Sequence, residues 1–377
     1  MQLTDVQLQI RDAARAFAQK EIVPHAAEWD RTCTVPIEVL RAMGPLGFMG
    51  MCVAPQWGGA GAKFVSYAAA VEEIAAGDCG LCNMMCVNNS PNCAALEEHG
   101  TAEQKERFLR PLASGAQSSA FLLTEPQAGS DAAALTTRAV KKGDRWVLEG
   151  TKQFVTAGRS ADLAFIVAVT DPAAGKRSMS MFVTPTKAPG YRVAREETKL
   201  GHRAADTCQI ALEGLEVPEE NMIGAPGAGY RIALAYLENG RIGVAAQAVG
   251  VARAAFEAAL RYARERETFG KPILEHQAVA FKLADMATAI EAARQLTLYA
   301  AALKDAGAPC LKEASMAKLF ASDMAERVSS DAIQLHGGYG YLADFPVEKL
   351  WRDARVLSIY EGTNEIQRLV IGRALAG

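Results

Sequence analysis

The sequence reads as a mainly α chain with a central β domain. It predicts an N-terminal helical domain over 1–119, an antiparallel β-sheet or barrel domain over 120–226, and a C-terminal four-helix bundle over 227–377. Two shifts of texture and one long stripe carry this prediction. Residues 1–119 are rich in Ala, Glu, Gln and Leu, with apolar residues three and four apart, the period of amphipathic helix. From about Phe121 to Gly224, short β-branched and aromatic runs separated by turn residues take over. From Gly227 the helical period returns. Leu283, Met286, Ile290, Ala293, Leu296, Ala300 and Leu303 then mark an apolar stripe about six turns long.

In the first region Pro24, Pro36, Pro45 and Pro55, with Gly58-Gly59-Ala60-Gly61, punctuate the helices. Cys79, Cys82, Cys86 and Cys93 crowd one stretch, where the helical steps of the first three fit small buried hydrophobes. A metal site would need a second CxxC or an HxxxH partner, and the sequence has neither. In the middle region the expected strands are WVLEG (146–150), KQFVTAG (152–158), LAFIVAV (163–169), MSMFVTP (179–185) and CQIALEGLEV (208–217). Gly143-Asp144 and Asp171-Pro172 are turns between them. In the last region, long helices with apolar stripes bury them against one another as a bundle.

Composition narrows the function. A chain of 377 residues buries a sizeable core without a disulfide or metal staple. Forty basic against 43 acidic residues give a net charge of −3, which excludes an electrostatically driven nucleic-acid binder. No run approaches the ~18 apolar residues of a membrane span. The opening MQLTDVQLQIRDAARAF has charges threaded through a helical period, unlike a signal or transit peptide. Eight cysteines suit a reducing compartment, and the expected location is cytoplasmic.

Several familiar chemistries are missing: there is no Walker A loop, no HExxH and no GxSxG. Gly338-x-Gly340-x-x-Ala343 follows a helical stretch rather than a strand, so it lacks the context of a nicotinamide fingerprint. The segment FLLTEPQAGSD (121–131) offers Thr124 and Ser130 hydroxyls and a tight turn at Gly129 where N–H groups can converge on an anion; a plain interdomain turn would look the same. KQFVT (152–156) is an aromatic and hydroxyl strand or simply core. RERETFG (264–270) reads as a helix end with Gly270 at C′, and Arg266 either meets a phosphate or is solvated. QLHGGYG (334–340) is explained by a helix C-cap alone.

IYEGTNEIQR (359–368) is the sharpest signal. Glu361 stands beside Ile359 and Tyr360 and just before Thr363, a residue able to N-cap the next helix. Burial there raises a carboxyl group toward the working range of a general base; a capping-turn glutamate is the plainer reading.

Together, in this order and spacing, these five segments resemble the acyl-CoA dehydrogenase family over nearly the whole chain. The resemblance implies an FAD enzyme that takes an α-proton and a β-hydride from an acyl-CoA thioester to give the trans-2-enoyl-CoA, and passes electrons to electron-transferring flavoprotein. It implies Glu361 as the base. It places Phe121, Leu123, Thr124, Gly129 and Ser130, then Phe154, Val155 and Thr156, along the flavin, with Phe154 where tryptophan is common. Arg266, Thr268, Phe269 and Gln277, with Gln334, Gly337 and Gly338, would reach a neighbouring subunit's FAD in a homotetramer. Thr363, Asn364 and Glu365 would close over the cofactor. Ser130, Glu238, Arg241, Tyr360 and Gly362 would serve the substrate, Glu238 and Arg241 at the CoA moiety. Family members put the base at one of two places, and the second is Gly240 here, which has no side chain. An acyl-CoA oxidase shares fold and base but usually carries a further C-terminal helical domain, whereas this sequence ends nine residues after Arg368. A catalytically silent flavin- or CoA-binding scaffold is the other alternative, against which the retained Glu361 speaks. LENGRIGVAA resembles short-chain members, so a short- or medium-chain substrate is expected.

Overall fold

The computed structural model describes residues 1–376, with side chains at all of these except 176 and 177. The first region is helical, and its helices start where the sequence supplies caps. Helix α1 (Asp5–Phe17) opens with a capping box: the Gln7 N–H donates to the Thr4 hydroxyl and the Thr4 N–H to the Gln7 side chain. Helix α2 (Phe64–Gly77) is apolar on most sides and correspondingly buried. Its first N–H groups, on Phe64 and Val65, donate at 2.6 and 3.1 Å to Asp305, far along the chain. Asp78 then caps α3 (Cys79–Val87) by accepting the Leu81 N–H. Cys79, Cys82 and Cys86 lie buried on that helix as free thiols.

The strands β1 (Ser119–Leu122), β2 (Arg138–Lys142), β3 (Arg145–Thr156), β4 (Leu163–Val169), β5 (Met179–Pro185), β6 (Tyr191–Glu196), β7 (Thr207–Pro218) and β8 (Met222–Ile223) form one sheet, in the order β6-β7-β3-β2-β4-β5-β8. The expected antiparallel pairing holds with one correction. β1 runs parallel to β4, as does the Arg138–Val169 contact of β2 with β4, because the long β2–β3 excursion lets the chain return in the same direction. β4 and β5 are buried on both faces, which is why they read as unbroken apolar runs rather than alternating ones. A register break in the β3–β7 pairing between Lys152 and Val155 re-aims the end of β3.

Between β1 and β2 the turn at 125–130 is pinned from inside. The Glu125 carboxylate accepts the Thr136 and Thr137 N–H groups and the Lys152 ammonium at 2.9 Å, and Lys152 also donates to the Leu123 carbonyl. Both side chains are almost fully buried, at 1% and 0% exposure. Burial pushes the Glu125 carboxyl up, but Lys152 and the threonine donors outweigh it and bring it to about 2; burial lowers Lys152 to about 8.

The bundle contains α4 (Gly229–Glu265), α5 (Gln277–Asp305), α6 (Leu311–His336), α7 (Pro346–Ala354) and α8 (Asn364–Ala376). Helix α4 is the axle of the molecule, packed on both α2 and α6. Its Gly250 allows that approach, since a Cβ there would lie 2.3 Å from the Glu72 carbonyl. Contrary to the sequence reading, α4 is long and apolar enough to cross a membrane by length and composition. Yet 78% of its most apolar window is buried by neighbouring elements, as in the core helix of a bundle. Arg253 of α4 and Arg294 of α5 both bind Glu72 of α2, clamping bundle to N-terminal helices. The expected helix end at Gly270 is also corrected. Helix α4 stops at Glu265, and Phe269 (φ 53°) and Gly270 (φ 78°) make the tight turn of a small hairpin, β9 (Glu267–Thr268) with β10 (Lys271–Pro272).

Lys152→Met leaves the Glu125 carboxylate buried and unpaired, and should lower stability by about 3–5 kcal/mol. Chemical denaturation of the holoenzyme beside wild type reads this; a loss below ~1 kcal/mol, the worth of an exposed pair, would contradict it.

Candidate active site

Beyond α7 the chain makes a turn at Glu361 (φ 54°) and Gly362 (φ 85°), two successive left-handed residues. Glycine adopts this freely, but for a glutamate it is a strained backbone, so its surroundings must hold it there. They do so from several sides. The Gln367 amide donates to the carbonyls of Glu361 (3.2 Å) and Gly362 (2.7 Å), and Lys318 of α6 donates to Gly362 at 2.9 Å. Thr363 N-caps α8 by accepting the Ile366 N–H, as its position in the sequence suggested. On the other flank the Tyr360 hydroxyl bonds Gln247 of α4, and its ring sits edge-on to His202, whose N–H donates to Asp353.

The residue Glu361 as a whole is half-buried, but its Oε2 is sealed from solvent and has no hydrogen-bond partner. Among the described residues no cation lies within ion-pair distance of it. Burial therefore dominates and pushes the carboxyl up to about 7, with Arg241 and then Lys318 pulling it partly back. Arg241 is buried, bonds Ser315 at 3.3 Å, and keeps an unpartnered Nε. Across from the carboxylate is Gly240: a Cβ there would stand 2.5 Å from Oε2. The absent side chain at 240 is the space that Glu361 occupies.

A second set of residues lies on the sheet. Phe154 has a left-handed φ of 57° and is 65% exposed, an aromatic held in strain with nothing of its own chain over it. Phe121, Thr124 and Thr156 are half-buried, and Asn83 of α3 donates to the Thr156 hydroxyl at 3.2 Å. Gly129 and Ser130 are exposed at the pinned turn, and a Cβ at Gly129 would meet nothing. Two residues expected here turn inward instead. The side chains of Val155 and Leu123 are in the core, and the Leu123 carbonyl accepts from Lys152.

The third set is a cleft of about 400 Å³ that gathers Arg266, Thr268, Gln334, Gly337 and Gly338, with the Arg266 guanidinium 6.0 Å from the Tyr339 ring. Phe269, 97% exposed at the hairpin tip, and Gln277, exposed at the start of α5, do not line it. Other expected site residues have partners within the chain. Asn364 is buried, with its amide bonded to Ser322, Asp323 and Lys318, so its side chain joins α8 to α6. Glu365 is exposed in the first turn of α8, held low by its own backbone N–H and Thr363 at a helix N-terminus. Glu238 is engaged by Lys304 and Cys310, and Arg241 faces Glu361 rather than open solvent. The sequence reading missed Lys318 and Gln247 because each lies mid-helix with no motif around it, and it missed Gln367, inside the 359–368 segment, because nothing local shows that its amide folds back on the turn.

A buried unpaired carboxylate, an exposed strained aromatic and a cleft that includes Arg266 thus share one helix–sheet–bundle frame. Family models for the N-terminal, middle and C-terminal domains of acyl-CoA dehydrogenase match residues 4–116, 120–215 and 227–376. The chain is 46% identical to a Bacillus subtilis acyl-CoA dehydrogenase over 100% of both chains. It is 45% identical to the short-chain specific acyl-CoA dehydrogenase of Clostridium acetobutylicum, covering 98% of this chain and 97% of that one. Its structure is similar to that of butyryl-CoA dehydrogenase from Megasphaera elsdenii (TM-score 0.97, 40% identity, 100% of each chain). It is also similar to a chain in the electron transferring flavoprotein structure of Acidaminococcus fermentans (TM-score 0.98, 44% identity, 100% and 99% covered). The chain belongs to the acyl-CoA dehydrogenase family, a family of FAD-dependent oxidoreductases. The residues present fit that cofactor: Phe154 offers an uncovered aromatic face, Thr124 and Thr156 offer hydroxyls beside it, and the Gly129-Ser130 turn is open to an anion.

Gly240→Ala should displace the Glu361 carboxylate while leaving FAD bound. A misplacement of that order costs on the order of 10²-fold in rate. Stopped-flow flavin reduction measures it, and an unchanged rate would show that the carboxylate does not occupy this space.

Proposed function

We propose that this chain oxidises a short-chain acyl-CoA to its trans-2-enoyl-CoA, with Glu361 as the base that removes the α-proton. The observation that carries this is the Glu361 Oε2: buried, unpartnered and near neutral in proton affinity, it is poised to accept a proton at working pH. An α-C–H of a thioester is a weak acid, so a base in this range needs donors for the enolate oxygen as charge develops. The Glu361 N–H, which finds no acceptor among the described residues, is well placed in sequence to be one of them. Arg241 and Lys318 moderate the charge left on the base before the proton arrives. Bound FAD supplies the two-electron acceptor for the β-hydride.

The residues after Gly240 on the same face of α4 support a short acyl group. A Cβ at Gly243 would stand 3.1 Å from the Tyr67 hydroxyl, and Gln247 is bonded to Tyr360. These polar side chains lie at the face of α4 that carries Gly240, in keeping with a short acyl group. A homotetramer, with Arg266 and the 334–338 segment serving a neighbour's FAD, fits the open cleft there. Electron-transferring flavoprotein as acceptor is in keeping with the Acidaminococcus relative. All eight cysteines are unpaired, which suits a reducing, cytoplasmic setting.

Glu361→Gln keeps shape and FAD but should slow flavin reduction by ~10²–10⁴-fold. In the wild type, reduction should fall as pH drops through about 7, where the carboxylate takes up its proton. Full-speed reduction in Glu361→Gln would end the assignment. Mixed anaerobically with butyryl-, octanoyl- and palmitoyl-CoA, the oxidised protein should bleach fastest with butyryl-CoA; preference for palmitoyl-CoA would overturn the short-chain reading.

A further inference from the structure

Lys318 is among the most deeply buried large side chains of the molecule, at 0% exposure. Its ammonium donates to two neutral acceptors, the Gly362 carbonyl and the Asn364 side-chain oxygen, each at 2.9 Å. Among the described residues it forms no ion pair, unlike the other fully buried lysine, Lys152, which rests on Glu125. Desolvating an ammonium without a counter-ion is costly, and a glutamine could make a hydrogen bond to the same carbonyl at far lower cost. The charge itself therefore needs a reason. The carboxylate nearest in function is Glu361, one residue before the carbonyl that Lys318 holds.

Resting on Glu361 as the base, we propose that Lys318 is its positioning residue: the buried ammonium fixes the Glu361–Gly362 turn and supplies the positive field in which the carboxylate ionises. The charged and titratable groups around the pair come from every packed element. Arg241 of α4, Lys318 of α6, the Cys86 thiol of α3 and the Tyr360 phenol of the turn itself face Glu361. Asp323, Arg241 and Glu365, besides Glu361, face Lys318. Burial lowers Lys318 to about 8, so it stays protonated where Glu361 must ionise. A cation favours the charged carboxylate, so removing it raises the Glu361 midpoint, and the base then stays protonated to higher pH.

The test compares FAD-loaded Lys318→Met, Lys318→Gln and Lys318→Arg with wild type. The Glu361 carboxyl band, identified as the one lost in Glu361→Gln, is titrated by infrared difference spectroscopy without substrate. The midpoint should rise by about one pH unit in the Met and Gln variants and stay near wild type in Lys318→Arg. Flavin reduction by acyl-CoA should lose its rate in parallel below that raised midpoint, with KM little changed. Lys318→Gln retains a donor to Gly362, so it separates charge from geometry should Lys318→Met not hold FAD. An unchanged midpoint in a folded neutral variant overturns the proposal, as does failure of both neutral variants to fold. Because the titration needs no substrate, its outcome is independent of whether Glu361 proves to be the base.

Discussion

The structure turns on one costly arrangement: a carboxylate buried without a partner at the end of a left-handed turn. Neither feature stabilises the chain. Burial raises the Glu361 carboxyl to about 7, and a glutamate at φ 54° adds backbone strain. Between its ordinary value of 4.5 and about 7, the folded protein holds a proton that the unfolded chain has released, so Glu361 destabilises the fold as pH rises across that interval. Such a group persists only when its surroundings over-determine it.

Those surroundings are distributed across the chain. Gln367 and Lys318 hold the carbonyls of the turn, Tyr360 anchors it to Gln247, and Gly240 leaves the space that the carboxylate fills. They come from α4, α6, α8 and the turn itself, and α4 must be held in register for Gly240 to face Glu361. The Glu72 clamp to Arg253 and Arg294 and the close approach at Gly250 do this from the α2 side. The buried Glu125–Lys152 pair does the corresponding work on the sheet, keeping the Gly129-Ser130 turn and the end of β3 together.

What the sequence disclosed came from periodicity and local chemistry. The helical texture, the strand runs and the Thr363 cap were all legible because each is a short-range pattern. The carboxyl of Glu361 was legible as a candidate because its neighbours are apolar. Lys318 was not, since a lysine inside a helix looks solvated until a partner far along the chain covers it, and neither was Gln367, whose bonds to Glu361 and Gly362 depend on the left-handed turn between them. The bonds of the Asn364 amide to α6 were likewise hidden, because no local pattern reveals them. Gly270 was misjudged because a glycine after a helix and a glycine in a tight hairpin look alike in sequence. The parallel β1–β4 contact depends on a strand pairing across more than forty positions, which pattern alone does not specify.

The central claim is that Glu361 takes the α-proton. The most direct measurement separates that step from oxidation, using an acyl-CoA analogue with sulfur in place of the β-carbon, which has no β-hydride to give. In D₂O the holoenzyme should exchange the analogue's α-protons for deuterium, at a rate that rises with pH through about 7, and Glu361→Gln should not. Exchange that persisted in Glu361→Gln at the wild-type rate would contradict the account.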